Sequence, residues 1–168
     1  VHCRAHPDPL ATQADRSAIV RRRVGPAGAS VRPGRAGTVC VDWPLEPVPP
    51  LVSIIVPTRD RVELLRSCIE SVVRLTDYHN YEMIVMDNQS SDPATLAYLA
   101  QIAEDPRIRV VHHDRDYNYA EINNVALAHA RGEYLCLLNN DTEVIAPDWL
   151  TLMMRQAVRP GVGAVVPQ

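Results

Sequence analysis

From residue 51 onward, short apolar runs alternate with longer amphipathic stretches, and each run stops abruptly at polar residues. Val52-Ser53-Ile54-Ile55-Val56-Pro57 leads into Thr58-Arg59-Asp60, Glu82-Met83-Ile84-Val85-Met86 into Asp87-Asn88-Gln89-Ser90-Ser91-Asp92, and Leu135-Cys136-Leu137-Leu138 into Asn139-Asn140-Asp141. Four or five apolar residues in a row read as strands buried on both faces. The stretches between them have a helical period. Residues 61–75 carry Val62, Leu65, Ile69, Val72 and Val73, with Asp60 and Glu63 at the spacing of a capping box. Pro93 after Asp92 suits the first position of a helix reaching to about 104. Residues 107–112 form a strand, and 119–131 a helix closed by Gly132, taken as a C′ glycine that tolerates positive φ. A last helix runs over about 147–158, and a fifth strand over 162–166 follows the Pro160-Gly161 turn. Strict strand–helix alternation predicts the α/β class, with a mainly parallel sheet, right-handed crossovers and helices on both faces.

That class says where to look for chemistry. Open α/β sheets bind ligands beyond the carboxyl ends of their strands, and three strands here deliver polar side chains to that edge. Asp141 is a hard oxygen donor of the kind that holds Mg²⁺ or Mn²⁺, ions usually shared between a protein carboxylate and substrate phosphates. Each polar run taken alone is equally a loop after a strand.

Four segments in order carry a family resemblance: residues 52–58, then Val85-Met86-Asp87-Asn88-Gln89-Ser90-Ser91-Asp92, then Ala130-Arg131-Gly132-Glu133-Tyr134, then Asn139-Asn140-Asp141. Together they resemble the family 2 glycosyltransferases of the GT-A fold, over residues 51–168. The Asn139–Val144 wording and Tyr117-Asn118-Tyr119 look most like bacterial surface-polysaccharide enzymes, including rhamnosyltransferase-like proteins.

The resemblance implies a nucleotide-diphosphate sugar donor, a glycan or lipid-linked acceptor, and inversion by a single displacement. Asp87 corresponds to the carboxylate that accepts a hydrogen bond from the pyrimidine ring; an Asp closing its own turn is the alternative. Pro57 and Thr58 would floor the nucleoside. Arg59 stands where many relatives have an aromatic residue, and a guanidinium can also stack on a base. Asp60 is explained as a helix cap. Asp141 corresponds to the last carboxylate of the DXD motif, which contacts the metal bridging the phosphates. Asn139 and Asn140 replace carboxylates found in many relatives, implying weaker metal binding without donor, while Asn140 can still bond ribose or phosphate. Asn118 matches a nucleotide-contacting position, with helix capping an equally good explanation. Asn124 is read as making a structural hydrogen bond and Glu143 as solvent-facing or structural. The catalytic base of such enzymes comes from the second half of the domain, so it is expected downstream of Gln168, and residues 1–168 alone are expected to bind nucleotide without transferring sugar.

Composition changes this picture little. The net charge of −3 gives no sign of nucleic-acid binding through phosphate neutralisation. No apolar segment approaches the roughly 20 residues that span a bilayer, and the expected location is cytoplasmic, at the inner face of the membrane. Cys3, Cys40, Cys68 and Cys136 form no CxxC pair; Cys68 and Cys136 read as small core residues of a reducing compartment. His112 and His113 adjoin at a strand end, where alternate side chains face opposite ways. Residues 1–50 are rich in Pro and Gly and read as a leader and linker, or the tail of an upstream domain, with a helix over 11–23, a short strand over 38–43 and low order before about Gly37. Arg21-Arg22-Arg23 would suit peripheral contact with anionic lipid, or equally a solvated face. Two classes of function stand: a metal-dependent glycosyltransferase, or a nucleotide-binding module without transfer. A sugar nucleotidyltransferase fits less well, because residues 58–63 lack a Gly-rich phosphate loop.

Overall fold

The computed structural model describes residues 12–34 and 37–166. In chain order its elements are α1 (Gln13–Val24), β1 (Ser30–Pro33), β2 (Val39–Asp42), β3 (Val52–Thr58), α2 (Val62–Leu75), β4 (Tyr81–Asp87), α3 (Pro93–Ile102), β5 (Ile108–His112), α4 (Tyr119–Leu127), β6 (Tyr134–Leu137) and α5 (Trp149–Ala157). Contacts divide the chain into two compact units, one made of the residues up to Val48 with those from Leu150 on, the other Pro49–Trp149.

In the first unit, α1 opens on a capping box: Thr12 accepts from the N–H of Asp15, whose carboxylate accepts from the N–H of Thr12 at 3.0 Å. β1 and β2 pair antiparallel from Ser30↔Asp42 to Pro33↔Val39. Gln13 Nε2 bonds the carbonyls of Gly34 and Thr38 between those strands, and Arg21 donates to Val31 O. Arg21, Arg22 and Arg23 fill the last turn of α1, where cations complement the helix dipole. The expected low order before Gly37 is therefore corrected over residues 12–34: polar capping and backbone bonds organise a segment that has little apolar periodicity. From α5, Gln156 donates to Val41 O at 3.2 Å, and the Arg159 guanidinium lies 4.5 Å from the centre of the Trp43 ring.

The second unit is a parallel sheet in the order β5-β4-β3-β6. The central strands are buried almost throughout, with Ile54, Ile55, Met83 and Ile84 fully inaccessible. The chain steps outward from β3 to β4 to β5, then returns past β3 to form β6. Right-handed crossovers place α2 and α3 on one face and α4 on the other. α4 contributes Ile122 and Ala126 to a cluster with Ile55, Ile84 and Met86. On the other helix pair, the Arg66 guanidinium of α2 lies 4.3 Å from the ring centre of Tyr98 in α3.

Three sequence expectations change. β6 is not buried on both faces: Leu135 and Leu137 are 47% and 53% exposed while Cys136 and Leu138 are buried. Among the described residues β6 pairs only with β3, and the apolar side of α4 is spent on the central strands. The strand expected at 162–166 does not form. Val162 N–H instead closes a turn on Arg159 O at 3.1 Å, and Val166 is exposed. Gly132 does not end α4, which stops at Leu127, and its φ is not positive. Its requirement is space, since a Cβ there would lie 2.6 Å from Ser53 N and 2.8 Å from Leu51 O. The close approach lets Gly132 N–H donate to Ser53 Oγ at 2.9 Å, fastening the start of β6 to β3.

Candidate functional site

The strand order reverses between β3 and β6, and in open α/β sheets that switch point is where ligands bind. A cavity of about 340 Å³ opens there. Pro57, Thr58 and Arg59 line it from the end of β3, and Asn139, Asn140 and Asp141 from the turn after β6. Asn140 Nδ2 donates to Thr58 Oγ1 at 3.0 Å, so two of the sequence-selected residues are in direct contact. The start of α2 adds Arg61 and Leu64, and the approach to α4 adds Tyr117, Tyr119 and Ile122.

α2 fixes the turn that carries Asp141. The Cys68 thiol donates to Asn139 O at 3.6 Å, Ser71 Oγ accepts from Val144 N–H at 3.0 Å, and Thr76 Oγ1 accepts from the Trp149 indole at 2.9 Å. Asp77 N–H donates to Pro147 O at 3.0 Å. Burial pushes the Cys68 and Cys136 thiols up to about 11, which keeps both protonated and unreactive at neutral pH.

The loop from β3 to α2 departs from expectation. Asp60 and Arg61 both take positive φ, at 52° and 56°, and α2 starts after Arg61 with no side-chain cap. The Asp60 carboxylate accepts instead from the N–H groups of Ser91 and Asp92, at 2.8 and 2.9 Å, and Asp60 N–H donates to Ser90 Oγ. The capping box with Glu63 is thus corrected: the orphan donors of the β4–α3 turn compete for Asp60 and win. Those N–H groups, Asp92 first, hold the Asp60 carboxyl below its ordinary pKa.

Asp87 stands next to Thr58 in register, with His112 beyond it on β5. It is buried; Oδ1 accepts from Ser90 N–H at 3.1 Å, and Oδ2 lies 2.9 Å from His112 Nδ1. Asp87 does not itself line the cavity. Asn118 is exposed and outside the lining, and it caps α4 by accepting from Glu121 N–H at 3.2 Å. The structural hydrogen bond assigned to Asn124 belongs to its neighbour: Asn124 is exposed, while buried Asn123 donates to Tyr119 O at 2.8 Å. Glu143 is exposed. His112 is exposed and His113 buried, as strand alternation requires.

Among the described residues Asp141 is the only carboxylate lining the cavity, and no hydrogen bond or salt bridge engages it. No group of three or more His, Cys, Asp or Glu residues is gathered to cage a metal among the described residues. One carboxylate beside two amides fits an ion that completes its shell with phosphate oxygens and water. Arg61, Leu64, Tyr117, Tyr119 and Ile122 were not selected as site residues from sequence. Arg61 and Leu64 sit in a stretch whose helical period explains them, and Ile122 reads as core. Tyr117 and Tyr119 counted only toward the resemblance.

Fold and site together define an α/β protein with a ligand crevice at the carboxyl edge of a parallel sheet. Residues 53–168 match the family model described as Glycosyl transferase family 2. The chain is 44% identical over 162 residues to the uncharacterized protein y4gI of Sinorhizobium fredii, covering 94% of this chain and 18% of that protein. It is 47% identical over 116 residues to the O-antigen biosynthesis protein RfbC of Myxococcus xanthus, covering 69% of this chain and 9% of that one. Among solved structures it resembles the mannosyltransferase PcManGT of Pyrobaculum calidifontis in complex with GDP-Man and Mn²⁺. There the TM-score is 0.62 and the identity 26%, over 72% of this chain and 37% of the other. The chain belongs to glycosyl transferase family 2. It spans less than a fifth of the length of these two curated relatives.

Proposed function

We propose that this chain supplies the donor site of an inverting, metal-dependent glycosyltransferase. The reaction moves a hexose or deoxyhexose from a nucleotide-diphosphate sugar to a polysaccharide or lipid-linked acceptor in surface-glycan synthesis, at the cytoplasmic face of the membrane. The observation that carries this reading is the cavity at the β3–β6 switch point, where Asn140 meets Thr58 and Asp141 presents an unengaged carboxylate. The relatives' names, O-antigen biosynthesis protein and mannosyltransferase, agree with it. Among the described residues no helix is long and apolar enough to cross a membrane.

In this reading Pro57 and Thr58 support the nucleoside and Asn140 bonds ribose or phosphate. Asp87 accepts from the base once the ligand draws it from its present partners, and Asn118 contributes at the rim. Asp141 holds Mg²⁺ or Mn²⁺ jointly with the diphosphate. When bound, that ion stabilises negative charge on the departing nucleoside diphosphate.

The test is calorimetric titration of the chain with UDP, dTDP and GDP, with and without Mn²⁺, beside Asp141→Ala. Binding strengthened by Mn²⁺ in the wild type and indifferent to Mn²⁺ in the variant is the expected result. No binding of any diphosphate by a folded chain in the presence of Mn²⁺ would overturn the reading.

A further inference from the structure

Among the described residues only three charged side chains line the cavity, Arg59, Arg61 and Asp141, so its wall carries an excess of positive charge before any metal arrives. Five of the other six arginines in the same unit are engaged, Arg66 with Glu70, Arg107 with Asp105, Arg115 with Glu121, Arg131 with Glu82, and Arg109 with His129 O, the exception being Arg74 in the last turn of α2, away from the cavity lining. Among the described residues neither the Arg59 nor the Arg61 guanidinium makes a hydrogen bond or a salt bridge. The carboxylate between them does not neutralise them by direct pairing, because Asp60 is committed to the N–H groups of Ser91 and Asp92. Across the cavity lining, the Asn139 and Asn140 amides add no negative charge that would repel an anion.

The backbone supports the same conclusion. Two consecutive non-glycine residues at positive φ are costly, and such conformations persist only where surrounding bonds over-determine them. Here the bonds from Ser90, Ser91 and Asp92 hold Asp60, and with it the Arg61 backbone, in a conformation that brings Arg61 to the cavity. Guanidinium groups offer fork-shaped donors suited to phosphate oxygens and keep their charge at any working pH.

We infer that Arg59 and Arg61 form a diphosphate-binding wall, which grips the two phosphates of the donor through the protein itself and supplies part of the affinity without metal. The inference rests on the cavity being the donor site. It assigns Arg61 a ligand and moves Arg59 from stacking on the base to pairing with phosphate. A site of this kind discriminates nucleoside diphosphates from nucleosides, which have nothing for the arginines to hold.

The experiment titrates UDP, dTDP and GDP, and the matching nucleosides, into the whole chain in Mn²⁺ and in EDTA. It compares wild type with Arg59→Gln, Arg61→Gln and Arg61→Gly. The glycine variant accepts positive φ freely, so it removes the guanidinium while easing the backbone. The expected result is residual diphosphate binding by wild type in EDTA, weakened about tenfold by each Arg61 variant, as the loss of a charged hydrogen bond implies. Nucleoside affinity should be unchanged, and the salt dependence of diphosphate binding should become shallower. Wild-type diphosphate affinity in all three variants, with binding intact in Mn²⁺, would overturn the inference and leave the donor site standing. Absence of any nucleotide binding by folded wild type in Mn²⁺ would remove both.

Discussion

Glu82 shows how one residue can fasten several elements. It is 4% exposed at the amino end of β4, away from the cavity edge. Oε1 accepts from Ser53 Oγ at 2.8 Å and from Arg131 N–H at 2.7 Å, and Oε2 from the Arg131 guanidinium. Burial works to raise its pKa, but the Arg131 N–H, the guanidinium and the Ser53 hydroxyl outweigh it, so the carboxyl lies below its ordinary 4.5. A carboxyl depressed in the fold stabilises the protein above its ordinary value, and that contribution disappears as pH falls through the folded-state value. Glu82→Gln is therefore expected to cost about 2 kcal/mol at neutral pH, held below the range for fully buried pairs because Arg131 is largely exposed. Urea midpoints at pH 7 and at successive values below 4.5 check this, since the gap between wild type and variant should close in acid. The neighbouring Gly132 marks a limit of sequence reading. Its glycine requirement was visible, but a lone glycine does not distinguish a backbone conformation from a close approach, and here the approach to Ser53 decides.

At the scale of elements, what was legible followed from burial. β3 and β4 are central, so their continuous apolar runs survive intact, and α2 buries the stripe its period announces. Pro93 after Asp92 likewise opens α3, with Asp92 accepting from Thr95 N–H. What failed depended on partners distant in sequence. The Asp60–Glu63 spacing is a sound local signal, yet Asp60 found stronger demand some thirty residues away at Ser91 and Asp92. The run at Leu135 and Leu137 could not announce that it lies at an edge, nor the valines at 162–166 that they lack a ladder. The two accounts of the β3–α2 loop predict different mutants. Asp60→Ala should lower the urea midpoint measurably, because two backbone donors lose their acceptor. Glu63→Ala should stay within about 0.5 kcal/mol, as exposed substitutions do. A capping box would make both costly, and urea unfolding of the two variants decides between the accounts.

At the scale of the molecule, alternation of strand and helix implied a parallel sheet, but it did not imply the order β5-β4-β3-β6. Strand order depends on which way each crossover steps, and sequence pattern is silent on direction. The site depends on that order, because Thr58 and Asn140 become neighbours only when the chain returns past β3. Every residue lining the cavity falls within Pro49–Trp149. The bonds that close this unit's ends are also internal to it: Asn80 Nδ2 to Pro49 O, Tyr78 Oη to Pro50 O, and the Trp149 indole to Thr76. About 100 residues with a core buried on both faces of a sheet is within the size that folds alone. Residues 49–149 expressed by themselves are therefore expected to unfold in one cooperative urea transition and to bind the same nucleoside diphosphates as the whole chain, with the same response to Mn²⁺ and to Asp141→Ala. A broad, non-cooperative transition would show that the sheet needs residues outside this unit. Cooperative folding with binding lost would show that the cavity does, and would place part of the donor site outside residues 49–149.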